Sequence, residues 1–396
     1  MLPKSIVISI YLSLLLFLTT GCWDRVEIDQ RGFVVGIAID QPEAADAKHN
    51  YLGTFQFVVP GGLKQSTRGS GGGGGGASGK AYFNLSTTEN SMPALSGRMS
   101  SKTSRSPYFE HLKMILISDK LAKSKSNFAD LLDYYLRNSE MRRGVQILIT
   151  EGKAADVLNI QANNETMPID YITSIAKNNR KTNFMIPQSR IGDVHENLVK
   201  HESFAIQKVK IEDQGISLSG CAIFAGDTKR MVGFLSGAET QGLNFITNQM
   251  KGGIVESKID ENTVDFLLER SERKITMQLL GPNRFKFVIQ ILAEGNLDKS
   301  IANIDPSKEQ ALKRIEKSIT EMIEKNAYKA IKKLQQTYKK DALGLGPYLY
   351  QNHYKLWKPV ENNWDSGDNL FSQVIIEVHA ESIIRRIGNI NETKKE

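Results

Sequence analysis

The chain has 396 residues, 40% hydrophobic and 24% charged, with 51 basic residues against 44 acidic ones and two cysteines. That composition belongs to folded globular material of two or three domains, and two cysteines exclude a disulfide framework. A net charge of +7 over this length, without zinc-finger spacing, an RNP-like aromatic pair or a dense basic stripe, gives no footing for nucleic acid.

The first element is a leader. Lys4 precedes an apolar run from Ile6 to Phe17, too short to span roughly 30 Å of hydrocarbon, which takes about 20 residues. It reads as a secretory signal peptide over 1–21. Leu18-Thr19-Thr20-Gly21-Cys22 follows, small residues before a cysteine, and Cys22 is expected to carry a diacylglyceryl group as the first mature residue. The alternative is an uncleaved anchor with an incidental cysteine. Removal of the leader takes Lys4 and lowers the net charge to +6, a modest excess that could favour an anionic membrane surface. With Cys22 lipidated, Cys221 has no partner and is expected to be a small buried apolar residue.

Phe33–Asp40 and Tyr51–Val59 read as strands of an antiparallel hairpin. The glycine-rich tract over 69–79 is a flexible loop by composition. Gly74 to Lys80 matches a phosphate-binding loop except at Ala81, which lacks the hydroxyl that would hold magnesium, and Tyr82–Ser86 is strand-like where a helix is required. A helix over Ser91–Lys102, a strand over Met114–Ile117 opened by His111, an amphipathic helix over Leu121–Arg137 and a strand over Val145–Thr150 follow. This region reads as a sheet with helices on one face. A lone histidine without a second ligand at metal spacing fits a structural hydrogen-bonding group better than a metal site.

Periodicity fails around Lys177–Val194, which suits a junction. Strands over Phe204–Val209, Ile216–Phe224 and Met231–Leu235 lead to a helix starting at Glu239. Strands over Ile254–Ile259, Val264–Arg270, Lys274–Leu280 and Phe285–Glu294 suggest a meander. Asp305-Pro306 is expected to start a helix over 306–338, a rod on the order of 50 Å. Its apolar residues recur at helical steps, facing either the meander or a coiled-coil partner. Phe371–Ile383 is expected as a closing strand. The organisation expected is thus a leader over 1–21, an N-terminal mixed domain over 22–186, a small middle domain over 187–253 and a C-terminal domain over 254–396, in an α+β fold with largely antiparallel sheets.

Several pieces, in order, resemble the GerAC-type family of spore germination lipoproteins, the C subunit of nutrient germinant receptors. They are Gly21-Cys22-Trp23-Asp24, Ser104-Arg105 with Glu110-His111, Leu136-Arg137 with Met141-Arg142, and Gly220 to Phe224 with Val232-Gly233. Glu239 to Gly242, Gln335 to Asp341 with Gly344 and Gly346, and Leu356-Trp357-Lys358 continue the series. The resemblance implies three mixed α/β domains, no catalytic residues, no cofactor or metal beyond the acyl lipid on Cys22, and a place on the outer face of the cell membrane, in the spore its inner membrane. It also implies two multispanning partner subunits, one similar to amino-acid permeases. Trp23 and Asp24 adjoin the lipid and are candidate membrane-proximal contacts. Arg105, His111, Arg137, Asp341, Gly344, Gly346 and Trp357 are candidates for interaction or structural anchors.

The runner-up is a solute-binding lipoprotein of a transporter, which would show two similar lobes around a hinge. An envelope hydrolase would need a paired acid and nucleophile, for which Glu110-His111 and Asp130/Asp133 qualify by residue type alone.

Overall fold

Strand β1 (Arg31–Asp40) is apolar along almost its whole length and buried on both faces, which places it inside a sheet. It pairs antiparallel with β2 (Tyr51–Val58), as the hairpin reading expects, and β2 pairs with β3 (Tyr82–Glu89). On its other side β1 lies parallel to the short β4 (Ser106–Tyr108) and to β5 (Met114–Ser118), and β5 lies parallel to β6 (Gln146–Thr150). The computed structural model describes residues 30–43, 48–62, 80–125, 127–162, 164–213, 215–297, 306 and 308–386, besides residues 3 and 6. Cys22, Trp23, Asp24, nearly all of the leader, the glycine-rich loop over 69–79 and Asp305 lie outside the described residues.

Helices cover both faces of this sheet, not one. Ile115, Ile117, Ile147 and Ile149 pack with α1 (Met92–Ser100), α2 (Asp119–Lys123) and α3 (Asn127–Arg137) through Leu95, Leu121, Phe128, Leu131 and Tyr135. Met114, Leu116 and Leu148 point the other way, onto α4 (Ala154–Leu158) and α5 (Pro168–Ala176). The physical reason is visible in β5 and β6: every residue of both strands is buried, and a strand without polar alternation needs cover on two sides. The single helix expected over Leu121–Arg137 is two, separated near Ser124.

The sheet continues across position 187. After α6 (Ile191–Val199), β7 (Phe204–Glu212) pairs parallel with β6 through Ile149 and Thr150. Beyond it come β8 (Gly215–Ser217), β9 (Cys221–Ala225) and β10 (Arg230–Leu235), giving a ten-stranded mixed sheet ordered β10-β9-β7-β6-β5-β1-β2-β3 along its main path. Parallel ladders form its centre and antiparallel ones its flanks.

The helix α7 (Gly237–Ile246) opens with a reciprocal capping box between Ser236 and Glu239. A second sheet, ordered β11-β12-β13-β14, comprises β11 (Gly253–Ile259), β12 (Asn262–Gly281), β13 (Arg284–Leu297) and β14 (Ile375–Arg386). The two strands expected over 264–270 and 274–280 are one: a bulge between Leu268 and Arg270 lets β12 keep pairing with β13. The closing strand starts at Ile375, after a 3-10 turn over Leu370–Gln373, and runs parallel to β13.

The long helix α8 (Glu309–Lys332) starts three residues beyond Pro306, and a π-helical turn over Lys333–Tyr338 completes it. It buries Ile315, Ile319, Ile323, Ala327 and Ile331 against the second sheet and α7. At about 1.5 Å per residue its 24 α-helical residues span ~36 Å. Its other task is to close an edge. Tyr328 Oη, Glu324 Oε1 and Glu316 Oε1 accept from the backbone N–H groups of Val378, Ala380 and Ile384 at 3.0, 2.9 and 3.0 Å, so β14 offers these donors to no other strand. Packing crosses position 253 as well, since Cys221, Leu235 and Leu243 share one apolar core with Val255, Phe266 and Phe287.

Candidate functional site

The chain reverses after the π-helical turn. Lys339 adopts a left-handed conformation (φ 54°), and Gly344 another (φ 79°) that favours glycine, at the N-cap of α9 (Leu345–Asn352). Between them Asp341 is buried, and its carboxylate takes four donors. Oδ1 accepts from the N–H groups of Gly344 and Leu345 at 3.0 and 3.2 Å; Oδ2 accepts from the Gly346 N–H at 2.6 Å and Trp364 Nε1–H at 2.7 Å. One carboxylate therefore satisfies the first free N–H groups of α9 and holds the indole of a residue 23 positions away. Burial pushes the Asp341 carboxyl up, the indole and backbone donors pull it back, and it comes to about 6.

Gly346 is the second requirement of this knot. A Cβ there would lie 2.8 Å from Trp364 Nε1 and 3.0 Å from the Trp357 ring. Trp364 in turn meets Trp357, Phe285 and Phe287 edge-on, with ring centroids 5.7, 5.9 and 6.4 Å away, which seats the loop on β13.

The knot also ties the second sheet to the first. Asp365 Oδ2 accepts from the Asp341 N–H at 3.1 Å and from Ser203 Oγ at 2.6 Å, and Ser203 sits just before β7. Lys340 Nζ reaches Asp227 Oδ2 at 2.8 Å and the Asp365 carbonyl at 2.7 Å, and Tyr338 Oη donates to the Phe234 carbonyl at 2.7 Å. Two clefts flank α9 at this seam. One, of about 610 Å³, lies toward Pro187, Asn197, Arg273 and Tyr348; the other, of about 470 Å³, lies toward Tyr350, Trp357 and Trp364.

Of the residues singled out in the sequence, Asp341, Gly344, Gly346 and the half-buried Trp357 are brought together here. Arg105, His111 and Arg137 are not. Arg105 and His111 are exposed near the start of β1, where the His111 ring meets Phe33 edge-on at 5.3 Å and Arg31 lies over the Tyr108 ring at 4.1 Å. Arg137 is exposed at the end of α3 and pairs with Asp133 at 2.8 Å, an i,i+4 pair of little energetic weight. Asp130 and Asp133 lie on the solvent side of the same helix. Ser203, Asp365, Gln188 and Arg273 were not flagged by the sequence; they sit far apart in the chain and carry no local pattern. Cys221 is completely buried, and burial pushes its thiol up to about 12.

Two family models match in chain order. The spore germination protein N-terminal domain covers residues 24–211, and the spore germination B3/GerAC-like C-terminal domain covers residues 219–388. The chain belongs to the GerAC family. The gap between the two models, residues 212–218, contains β8, and the Asp341 knot lies in the second. Among relatives, spore germination protein YndF of Bacillus subtilis (strain 168) is 28% identical over 98% of both chains. Spore germination protein B3 of the same strain is 29% identical over 87% of this chain and 89% of its own. The crystal structure of the GerBC protein superposes with a TM-score of 0.60 at 24% identity, covering 91% of this chain and all of that one, and so shares the fold. The two sheets here differ in strand number and order, unlike the paired lobes that a solute-binding lipoprotein would show.

Proposed function

We propose that this GerAC-family chain is a lipid-anchored subunit of a spore nutrient germinant receptor, required for nutrient-triggered germination and acting through protein contacts at the membrane. The observation that carries the reading is the pair of spore germination models that tile residues 24–211 and 219–388 in order. Relatives named as spore germination proteins, aligned over nearly the whole chain, support it. Its partners in this reading are two multispanning membrane subunits, one of them permease-like, and it performs no catalytic step of its own.

The lipid on Cys22 supplies the attachment, and no helix among the described residues is long and apolar enough to cross a membrane. Eight residues lie between Cys22 and Arg31, the first residue of β1, and the nine Cα steps reach about 30 Å, so the tether would hold the Arg31 end of the first sheet close to the headgroups. Arg105 and His111 lie at that end and become membrane-proximal by position. A single acyl chain binds only reversibly, which favours a second acyl chain or partner contacts to retain the subunit.

The test is Cys22→Ala in spores that lack redundant receptors, with membrane fractionation and nutrient-triggered germination scored together. Loss of both is expected. Full membrane retention with normal germination would remove the lipid anchor from the account, and normal germination in a clean deletion would remove the receptor role.

A further inference from the structure

The larger cleft beside α9 holds a cation without a counterion. Arg273 projects from the inner face of β12 into its wall, half-buried. Its Nη1–H donates to the Ile246 carbonyl at 2.9 Å, whereas Nε is buried and has no hydrogen-bond partner. Among the described residues no carboxylate forms an ion pair with it; its chain neighbour Glu272, on the opposite face of the strand, is engaged with Arg270. The edge without an acceptor is the one carrying Nε and Nη2, whose two parallel N–H groups match both oxygens of a carboxylate. A second donor in the same wall, Gln188 Nε2, is also buried without a partner.

Unmatched buried donors are uncommon and costly, so two of them in one cleft call for a partner. The setting is that of a small-molecule site. At about 610 Å³ the cleft is within the usual range for such sites, Leu243, Leu343 and Pro347 give it apolar walls, and Thr247 and Ser189 add polar groups. Asp193 and Glu202 line it too, and burial raises the Glu202 carboxyl. Both acids bring negative charge to the same cleft, so a dianion would be opposed more strongly than a singly charged anion.

We propose that this cleft binds a small monocarboxylate, held by the Nε–Nη2 edge of Arg273 and by Gln188, with its apolar body against Leu243 and Leu343. Arg273 Nε and Gln188 Nε2 are both buried, so binding includes a rotation of both side chains toward the ligand. The site is formed by both sheets, since Gln188 precedes β7 and Arg273 lies in β12. An occupant would therefore tighten the seam that the Asp341 knot closes from the other side of α9.

The experiment is thermal unfolding of the full chain in detergent, titrated with sodium propionate or hexanoate at constant ionic strength, with chloride and phosphate as references. A saturable rise in Tm is expected below roughly 50 mM, hexanoate exceeding propionate because its tail buries more apolar surface. Arg273→Met should abolish the rise. Arg273→Lys, which keeps the charge but lacks the planar fork, and Gln188→Leu, which keeps the guanidinium, should each weaken it by about 10-fold. A variant that folds with wild-type circular dichroism and still shows the full rise overturns the assignment to that residue. No saturable rise in the wild type, an equal rise with chloride, or a phosphate effect as large as that of the carboxylates overturns the proposal.

Discussion

Replacing Asp341 with alanine tests the knot where its energetics are most exposed. The substitution leaves the Leu345 and Gly346 N–H groups and Trp364 Nε1–H buried without an acceptor. At about 2 kcal/mol for each unmatched donor, the loss is ~6 kcal/mol. Against this stands the cost of keeping a buried charge. The native carboxyl ionises at about 6, compared with 3.8 for an ordinary aspartate, and a difference of that size amounts to about 3 kcal/mol. Because the native pKa is the higher one, the folded state holds the proton more tightly. The stabilisation this gives is complete below about pH 4 and is lost as pH rises through about 6. Asp341→Ala removes the group and this dependence with it. The variant should therefore be less stable than the wild type by about 3 kcal/mol at pH 7, the gap widening toward ~6 kcal/mol as pH falls to 4. Urea denaturation at several pH values, followed by the fluorescence of Trp357 and Trp364, reads this directly. A gap independent of pH would show that ionisation of Asp341 is not linked to folding. A gap that widens as pH rises would show that its four donors outweigh burial and that its carboxyl lies below the ordinary value.

Three further outcomes are expected. Gly242→Ala would place a Cβ 2.0 Å from the Asn326 carbonyl oxygen where α7 crosses α8, and should cost about 3 kcal/mol in urea denaturation; an unchanged midpoint would mean the helices separate freely. Cys221 should resist iodoacetamide in the native protein at pH 8 and react stoichiometrically in denaturant, since its thiol is buried and pushed up to about 12; native labelling at a free-thiol rate would refute that placement. Arg137→Ala removes an exposed ion pair and should leave the unfolding midpoint unchanged. A germination defect in that variant would then mark Arg137 as a contact residue, whereas a lowered midpoint would make it a structural anchor.

What could be read from the chain was local. The steps of four in α8 set which residues face the core, and the buried face follows that pattern, whereas β2 buries Gly53 to Phe57 without a break and so is covered on both faces. Asp341, Gly344 and Gly346 stood out through the family resemblance, and the fold gives the reason they belong together: the carboxylate meets donors three to five residues on. Pairing between distant segments was not. β6 joins β7 through two residue pairs some 59 positions apart, and nothing in Lys177–Val194 announces that the sheet resumes. The break expected between Arg270 and Lys274 is also absent: the ladder shifts register between Leu268 and Arg270, Ser271 to Arg273 pair regularly with β13, and β12 is one strand of 20 residues.

The same non-locality governs the seam. Ser203 and Asp365 are 162 residues apart, and neither has a reason to be singled out until the fold puts one hydroxyl against one carboxylate. Asp365 is then shared, accepting from Ser203 on the first sheet and from the Asp341 backbone on the second. Asp341 uses its side chain to start α9, and α9 is the wall between the two clefts. A movement of one sheet against the other must therefore break the Ser203–Asp365 contact or carry α9 with it, and in the second case both clefts change shape together. Ser203→Ala separates these outcomes: it removes the hydroxyl link while leaving the Asp341 knot whole. If the seam transmits motion through Asp365, hydrogen exchange of the α9 amides should rise in that variant while exchange in β5 and β6 stays at the wild-type rate. Unchanged exchange in α9 would mean that Lys340, through Asp227 and the Asp365 carbonyl, holds the seam without it.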